Sequence, residues 1–254
     1  MSGDTATAIT ILFIIFSAGV AAFVRKRSRD KCLMDFEQNM VTLEDVSGKT
    51  IWGTLRVENT GLEFVYSEKH RDEEGHEEAS FILYKYEYLN IQAAIRFHDD
   101  LSEDNKKRRE EELKRTYHPG PWRRSKRRTL NVFRTIRDSI VEIVNLLISQ
   151  AKKATPAGRM LGAQDKYVTQ MKQELMGSVG TSFEPLLERY IGHKVVLEMI
   201  KGEKIFEYCG VLKEYTAEFI EIMDVNYAVE DDKPAQKADL VVPRKLGLIR
   251  HLAE

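Results

Sequence analysis

Residues 194–213 have the sequence KVVLEMIKGEKIFEYCGVLK, and they carry the clearest structural signal in the chain. Apolar residues recur at every second position at Val195, Leu197 and Met199, a turn follows at Lys201-Gly202-Glu203, and a second run extends from Ile205 to Lys213. Alternation with a period of two indicates strands with one buried face, and a short glycine-containing break between two such runs indicates a hairpin. The stretch therefore predicts two antiparallel strands.

The same pattern occurs earlier, in residues 40–57, which have the sequence MVTLEDVSGKTIWGTLRV. In both hairpins one glycine lies in the turn and another lies inside the second strand. Further short apolar runs follow each hairpin, so the chain is predicted to contain two copies of one five-stranded unit. The predicted correspondences are Val41 with Val195, Leu43 with Leu197, Gly48 with Gly202, Gly53 with Gly210, Leu55 with Leu212, Phe64 with Phe219, and Ile95-Arg96 with Ile249-Arg250.

Each copy is predicted to close into a small β-barrel. Five short strands of this kind leave exposed edges unless the sheet closes on itself, and glycines inside strands permit the sharp bends that closure needs. The predicted strands are residues 40–43, 50–57, 62–66, 80–84 and 95–97 in the first copy, and 194–199, 205–213, 218–222, 240–242 and 248–250 in the second.

Three short motifs of the second copy point to a known family. They are the opening G-x-x-V-x-L run from Gly192 to Leu197, the glycines and leucine between Gly202 and Leu212, and the closing Ile249-Arg250 pair. This pattern resembles the small SH3-like barrels, and the Sm-like family in particular. The residues from Tyr215 to Phe219 lack the asparagine of that family's RNA-reading loop, and Pro243-Arg244 stands where the family has an Arg-Gly pair. The resemblance therefore implies the fold, and it does not carry over ring assembly or RNA binding.

The N-terminal segment is predicted to be a membrane anchor. Thr5 to Val24 contains no charged residue, and about 20 apolar residues in a helix cross a bilayer core. Asp4 precedes the run and a basic cluster begins at Arg25, which is the order of a single-pass anchor with its N-terminus outside. This predicts that residues 25–254 lie in the cytoplasm. A cleaved leader and a helix buried in a protein core are the alternatives.

The centre of the chain is strongly basic and then amphipathic. Lys106 to Arg128 contains eleven Lys or Arg residues against three Glu. Residues 129–152 follow with an apolar stripe at spacings of three and four, which predicts a helix with one buried face. The candidate helix-packing or oligomer face consists of Phe133, Ile136, Ile140, Ile143 and Leu147.

Three interpretations of this central region stay open. The helix packs on the two barrels and the charges are solvated, or the basic residues meet an anionic membrane surface, or they bind nucleic acid. Trp122 lies beside arginines, which suits a membrane interface. The candidate membrane-surface or anion-binding residues are Arg25, Lys26, Arg27, Trp122, Arg123, Arg124, Lys126, Arg127 and Arg128.

The sequence shows no catalytic signature. The motifs G-x-x-x-x-G-K-[ST], G-x-G-x-x-G, G-x-S-x-G and H-E-x-x-H are missing, and the six histidines are scattered. Two cysteines, Cys32 and Cys209, do not make a disulfide framework. The prediction is therefore a non-enzymatic protein with no cofactor and no metal site. The net charge of −1 is a cancellation of basic and acidic segments, so it excludes no class of partner.

Taken together, the sequence predicts an α+β protein with an N-terminal transmembrane helix and two small five-stranded SH3-like/Sm-like β-barrels separated by a helical insertion. The predicted segments are 1–30 for the anchor and its basic flank, 31–98 for the first barrel, 99–182 for the insertion and 183–254 for the second barrel. The predicted function is a membrane-anchored, cytoplasm-facing scaffold or protein-interaction module that binds a protein partner or a second copy of itself. The alternative is an Sm-like RNA- or nucleic-acid-binding protein tethered to the membrane.

Overall fold

Ten antiparallel strands form one continuous sheet in the computed structural model, which describes residues 29–71, 75–117, 183–229 and 234–253. The first half of the sheet consists of β1 (Met40–Asp45), β2 (Thr50–Val57), β3 (Gly61–Arg71), β4 (Glu77–Tyr84) and β5 (Ile91–Phe97). The second half consists of β6 (Lys194–Lys201), β7 (Lys204–Tyr215), β8 (Phe219–Tyr227), β9 (Gln236–Pro243) and β10 (Gly247–Leu252). The predicted positions of all ten strands are thereby confirmed, apart from shifts at their ends.

Three α-helices and one 3-10 helix accompany the sheet in the described residues. These are α1 (Lys31–Met34), α2 (Glu103–Thr116), α3 (Pro185–Tyr190) and the 3-10 helix Lys85–Asn90. The Ser102 hydroxyl oxygen caps α2 by accepting a hydrogen bond from the Asn105 backbone N–H at 3.3 Å. The acidic residues in the first turn of α2 and the basic residues in its last turn also interact favourably with the helix dipole.

The two halves are structural repeats. Gly53 lies opposite Val41 in the first half, and Gly210 lies opposite Val195 in the second. The residue two positions before the first strand has a positive φ in both halves, at Gln38 (63°) and at Gly192 (80°). Both of these residues donate their backbone N–H to the carbonyl of the equivalent leucine in the next strand, at Leu55 and Leu212 respectively. The predicted internal repeat is confirmed at these positions.

The strand register corrects two of the predicted correspondences. Leu55 lies opposite Phe64 and Leu212 lies opposite Ile222, so Ile222 is the counterpart of Phe64, and Phe219 is not. Leu43 lies opposite Ala94 and Leu197 lies opposite Ile249, so Ile249 is the counterpart of Ala94, and Ile95 is not.

The prediction of two separate SH3-like or Sm-like barrels is wrong, and with it the resemblance to that family and the predicted fold class. The strands lie in the order β10-β6-β7-β8-β9-β5-β1-β2-β3-β4, so the sheet is open. A closed first barrel would have to pair β5 with β4. Instead β5 pairs with β9 of the other half, and β4 is left at the end of the sheet. The backbone groups of β5 that would close a first barrel by pairing with β4 instead join the two halves of the sheet.

Two hydrophobic cores lie on opposite faces of the central strands. Ala93 and Ile95 of β5 belong to the core of the second half, whereas Ala94 between them belongs to the core of the first half. Alternate side chains of a strand point to opposite faces, so β5 is covered on both sides. In β9, Val241 likewise belongs to the first core and Leu240 to the second.

The prediction of a membrane anchor is not supported. Among the residues that the structure describes, no helix is both long enough and apolar enough to cross a bilayer. The run Thr5–Val24 lies outside the described residues, as do the amphipathic helix predicted for 129–152 and residues 118–128 of the basic run. The predicted transmembrane, single-pass and cytoplasmic assignments are therefore withdrawn.

A methyl group at Gly210 should destabilise the protein. A Cβ atom there would lie 2.5 Å from the Met223 carbonyl oxygen and 2.6 Å from the Ile222 side chain, closer than such atoms pack. We expect Gly210→Ala to lower the free energy of unfolding by about 1 to 3 kcal/mol, measured by urea denaturation. Glu203→Ala in the exposed neighbouring turn is the control, and a change below about 0.5 kcal/mol is expected there. Equal effects of the two variants would contradict the packing explanation.

Candidate functional site

The two halves meet where β5 pairs with β9, and we call this pairing the joint. Four residue pairs form it, among them Ala94 with Val241 and Arg96 with Asp239. Arg96 and Asp239 are both buried, and the Arg96 Nη2 atom donates to Asp239 Oδ2 at 2.8 Å. An ion pair is therefore built into the backbone pairing that holds the halves together.

Asp239 is the centre of this ion pair network. Arg109 of α2 donates to both of its carboxylate oxygens, at 2.8 Å from Nη2 and 2.9 Å from Nε. His98 Nε2 lies 3.1 Å from Oδ1, and the backbone N–H of Asp224 donates to the same oxygen at 2.9 Å. Burial acts to raise the pKa of Asp239, but the hydrogen bonds from His98 and Arg109 and the two arginine charges outweigh it and hold the pKa well below its usual range.

A second buried cluster surrounds Lys213 on the same face. Its Nζ atom lies 2.9 Å from Asp35 of the α1 region, 2.7 Å from Glu112 of α2 and 2.9 Å from Glu221 of β8. Burial acts to lower the pKa of Lys213, but these three carboxylates raise it above its ordinary value. Burial is also the main cause of the raised pKa of Glu221, whose Oε2 atom has no hydrogen-bond partner among the described residues.

A third group of polar side chains connects the two halves on the opposite face of the joint. Glu44 of β1 lies 3.0 Å from Lys201 at the end of β6, and it accepts a hydrogen bond from the hydroxyl of Tyr227. Gln92 of β5 donates to the Ile200 carbonyl at 2.7 Å. Burial, together with the nearby charge of Glu44, raises the pKa of Tyr227. Polar contacts thus connect the halves on both faces of the sheet.

These clusters are suited to holding the halves together. In the first two, each buried charge is opposed by a charge of the other sign, and each links two or more elements of the fold. No group of three or more potential metal ligands occurs in the described residues. A cleft of about 240 Å³ beside the junction is smaller than a typical ligand pocket of about 300 to 1,000 Å³. Its lining comprises Thr42, Thr50, Phe97, Tyr227, Val229, Pro234 and Gln236.

The two ends of the sheet form the candidate interaction site. β4 and β10 are the terminal strands, so each has one strand edge with no partner strand among the described residues. Ile82 and Tyr84 of β4 are about half exposed, and the Tyr84 ring stacks on Tyr86 with centroids 5.7 Å apart. At the other end, Leu248 and Leu252 of β10 are also about half exposed. Each open edge therefore presents backbone hydrogen-bonding groups beside apolar side chains.

The site residues predicted from sequence all lie outside the described residues. This holds for the candidate membrane-surface or anion-binding set, which comprises Arg25, Lys26, Arg27, Trp122, Arg123, Arg124, Lys126, Arg127 and Arg128. It holds equally for the candidate helix-packing or oligomer face, which comprises Phe133, Ile136, Ile140, Ile143 and Leu147. Both sets stay predictions.

The described part of the basic run is partly neutralised. Arg109 is buried against Asp239, Lys106 lies 3.1 Å from Glu103, and Arg115 lies 3.2 Å from Glu111. The interpretation of the run as a nucleic-acid-binding segment stays a prediction, since its remaining residues lie outside the described part.

The residues of the joint were missed by the sequence reasoning, although a signal for them exists. The runs 91–97 and 238–243 are mostly apolar, with Ala93-Ala94-Ile95 and Leu240-Val241-Val242 apolar at consecutive positions, which indicates strands covered on both faces. Each run contains a single charged residue, Arg96 in one and Asp239 in the other. Two lone charges of opposite sign in doubly buried strands predict an ion pair between those strands.

Comparison of the chain with protein-family models, curated protein sequences and solved structures finds no match.

Removal of the Asp239 carboxylate should be strongly destabilising. Asp239→Ala would leave Arg96 buried without its carboxylate partner and Arg109 with only the longer contact to Asp224 at 3.6 Å. Breaking a buried ion pair in this way costs about 3 to 5 kcal/mol. Urea denaturation gives the loss directly. Glu111→Ala, which removes an exposed ion pair in α2, is the control and should change stability by less than about 1 kcal/mol. A loss below 1 kcal/mol for Asp239→Ala would show that the network does not hold the halves together.

The contribution of Asp239 should disappear in acid. Its pKa is lower in the folded state than in the unfolded chain, so its ionised form stabilises the protein above the unfolded value of 3.8, and this stabilisation is lost as the pH falls toward the folded value. The stability difference between the wild type and Asp239→Asn should shrink by about 1 kcal/mol between pH 5 and pH 3. Urea titrations at both pH values measure it. A difference that is constant or grows would contradict the assignment.

Proposed function

We propose that the chain is a non-enzymatic protein-interaction module that binds protein partners at the open edges of its sheet. The observation that carries the proposal is the pair of open edges, β4 and β10, each with half-exposed apolar side chains. An unpaired strand edge is a template for a strand from another chain, in which backbone hydrogen bonds supply affinity and side chains supply specificity.

The apolar side chains at the two edges support the proposal that these edges bind a strand of a partner and are not protected against strand pairing. Soluble proteins usually protect an open edge with charged residues, with proline, or with a covering helix or loop. β4 begins with the charged Glu77 and Glu78, but its second half has the sequence SFILY from Ser80 to Tyr84, with Ile82 and Tyr84 about half exposed. Exposed aromatic and aliphatic residues that lie together mark interaction sites, because burying them on binding removes apolar surface from water.

The polar contacts at the joint, which lies between the two edges, also support this function. Buried ion pairs on one face and the Glu44 contacts on the other hold the two halves in one orientation. A module that presents two edges at a defined separation is suited to organising partners. The buried charges are engaged with one another, and this arrangement supports the proposal that the chain is not an enzyme.

Photo-crosslinking in cells that contain the full chain tests this function. A benzophenone side chain is placed at Tyr84 on β4 or at Leu248 on β10, and at Val46 as a matched exposed apolar control in the β1–β2 turn. We expect crosslinked protein adducts from the two edge positions and much weaker adducts from Val46, because only the edges contact a partner. Electrophoresis and mass spectrometry measure the adducts. Equal or absent adducts at the edge positions would overturn the proposal.

A further inference from the structure

We propose that the partner at these edges is a second copy of this chain, bound head to tail, with β4 of one molecule paired to β10 of the next. This inference rests on the proposed function, since it names the occupant of the same edges. The template is the joint within the chain. The joint pairs the fifth strand of one half with the fourth strand of the other, and the two free edges are a fourth strand and a fifth strand.

The helix that precedes the first strand of each half gives the first independent support. α1 covers the joint by packing on the other half, where Cys32 is fully buried with its Sγ atom 4.0 Å from the Phe219 carbonyl oxygen. Cys32 lies six residues before the positive-φ residue Gln38, and Leu186 of α3 lies six residues before the positive-φ residue Gly192. Leu186 is therefore the counterpart of Cys32. Leu186 is 66% exposed. An apolar residue whose counterpart is buried by a neighbouring half is thus exposed at the end of the sheet where the described residues contain no further half.

The surface that receives α1 gives the second support. Lys213 and Glu221 form a buried ion pair under α1 and α2, with side chains 5% and 0% exposed. In the first half, Arg56 follows Leu55 as Lys213 follows Leu212, and Glu63 precedes Phe64 as Glu221 precedes Ile222. Arg56 and Glu63 form the same ion pair at 3.3 Å, but their side chains are 61% and 33% exposed. The first half therefore has a docking surface of the kind that the second half uses.

The register of the joint can be transferred to the free edges. Ala94 lies opposite Val241 in the joint. At the β10 edge, Ile249 is the counterpart of Ala94. At the β4 edge, Ile82 is the counterpart of Val241, because Ile82 lies opposite Glu63 as Val241 lies opposite Glu221. An intermolecular joint would therefore place Ile249 opposite Ile82. Burial of these residues against each other is favourable because both are apolar.

One feature of the internal joint is not repeated at the free edges. Asp239 lies two residues before Val241 in β9, and the corresponding residue of β4, two before Ile82, is Ser80. The network of two buried arginines around a carboxylate therefore has no equivalent there. The intermolecular joint should be weaker than the internal one and should depend on protein concentration. Because it is heterologous, it generates a closed ring or an open filament.

Blocking one edge at a time tests the head-to-tail arrangement in the full chain. The first variant carries Ile82→Lys and Tyr84→Lys on β4, and the second carries Leu248→Lys and Leu252→Lys on β10. All four residues are half exposed, so the fold should tolerate the lysines, while lysine on an edge opposes strand addition. The control carries lysine at two exposed apolar residues away from both edges, Val46→Lys and Ile205→Lys.

Light scattering coupled to size-exclusion chromatography measures the mass of each sample. The wild type and the control should exceed twice the chain mass of 29.3 kDa at high concentration and dissociate on dilution. Each blocked variant alone should remain at the chain mass. An equimolar mixture of the two blocked variants should form a dimer and nothing larger, since it has one open β10 edge and one open β4 edge to pair.

Three results would overturn the inference. The first is a wild type that stays at the chain mass at every concentration. The second is a dimer formed by one blocked variant alone, which would indicate pairing of like edges. The third is a mixture of the two blocked variants that does not associate. The crosslinking experiment separates these failures from a failure of the proposed function. Adducts at Tyr84 and Leu248 to a different protein would leave the interaction module standing with another occupant, whereas adducts to this chain support both.

Discussion

The carboxylate of Asp239 is the group on which the arrangement of the two halves depends. It lies in β9 of the second half, and it binds Arg96 of β5 in the first half and Arg109 of the helix α2 that follows β5. A carboxylate buried without counter-charges would be strongly unfavourable, and so would two buried guanidinium groups. The three charges are satisfied only when the strands pair and α2 lies across them. The electrostatics therefore favour one specific orientation of the halves over looser ones.

The shared strands have a second consequence, since they join two hydrophobic cores. Because β5 and β9 are covered on both faces, neither half can complete its own core without the other. α1 illustrates this dependence, since it begins the first half in sequence but buries Cys32 against Phe219 of the second. The halves resemble each other in strand order, yet they fold as one sheet. The sheet remains open at β4 and β10, and its function is proposed to lie there.

Local structure followed closely from the residues. The alternation around Gly48 and Gly202 predicted two hairpins, and the glycines inside β2 and β7 lie opposite Val41 and Val195 as their correspondence requires. The expected closure into barrels was wrong, because backbone N–H and C=O groups of an edge strand can pair with any strand of suitable length. The choice of β9 as the partner of β5 depends on contacts between residues 143 positions apart, such as Arg96 and Asp239.

By itself the sequence determined the approximate positions of the ten strands and that the two halves share one plan. These properties depend on side-chain periodicity and turn residues that act within a few positions along the chain. Only the tertiary structure decided which strands are neighbours between the halves, which charges are buried together, and which edges remain open. Those properties depend on desolvation and pairing at long range, where a buried charge such as Asp239 is stable only if distant residues converge on it.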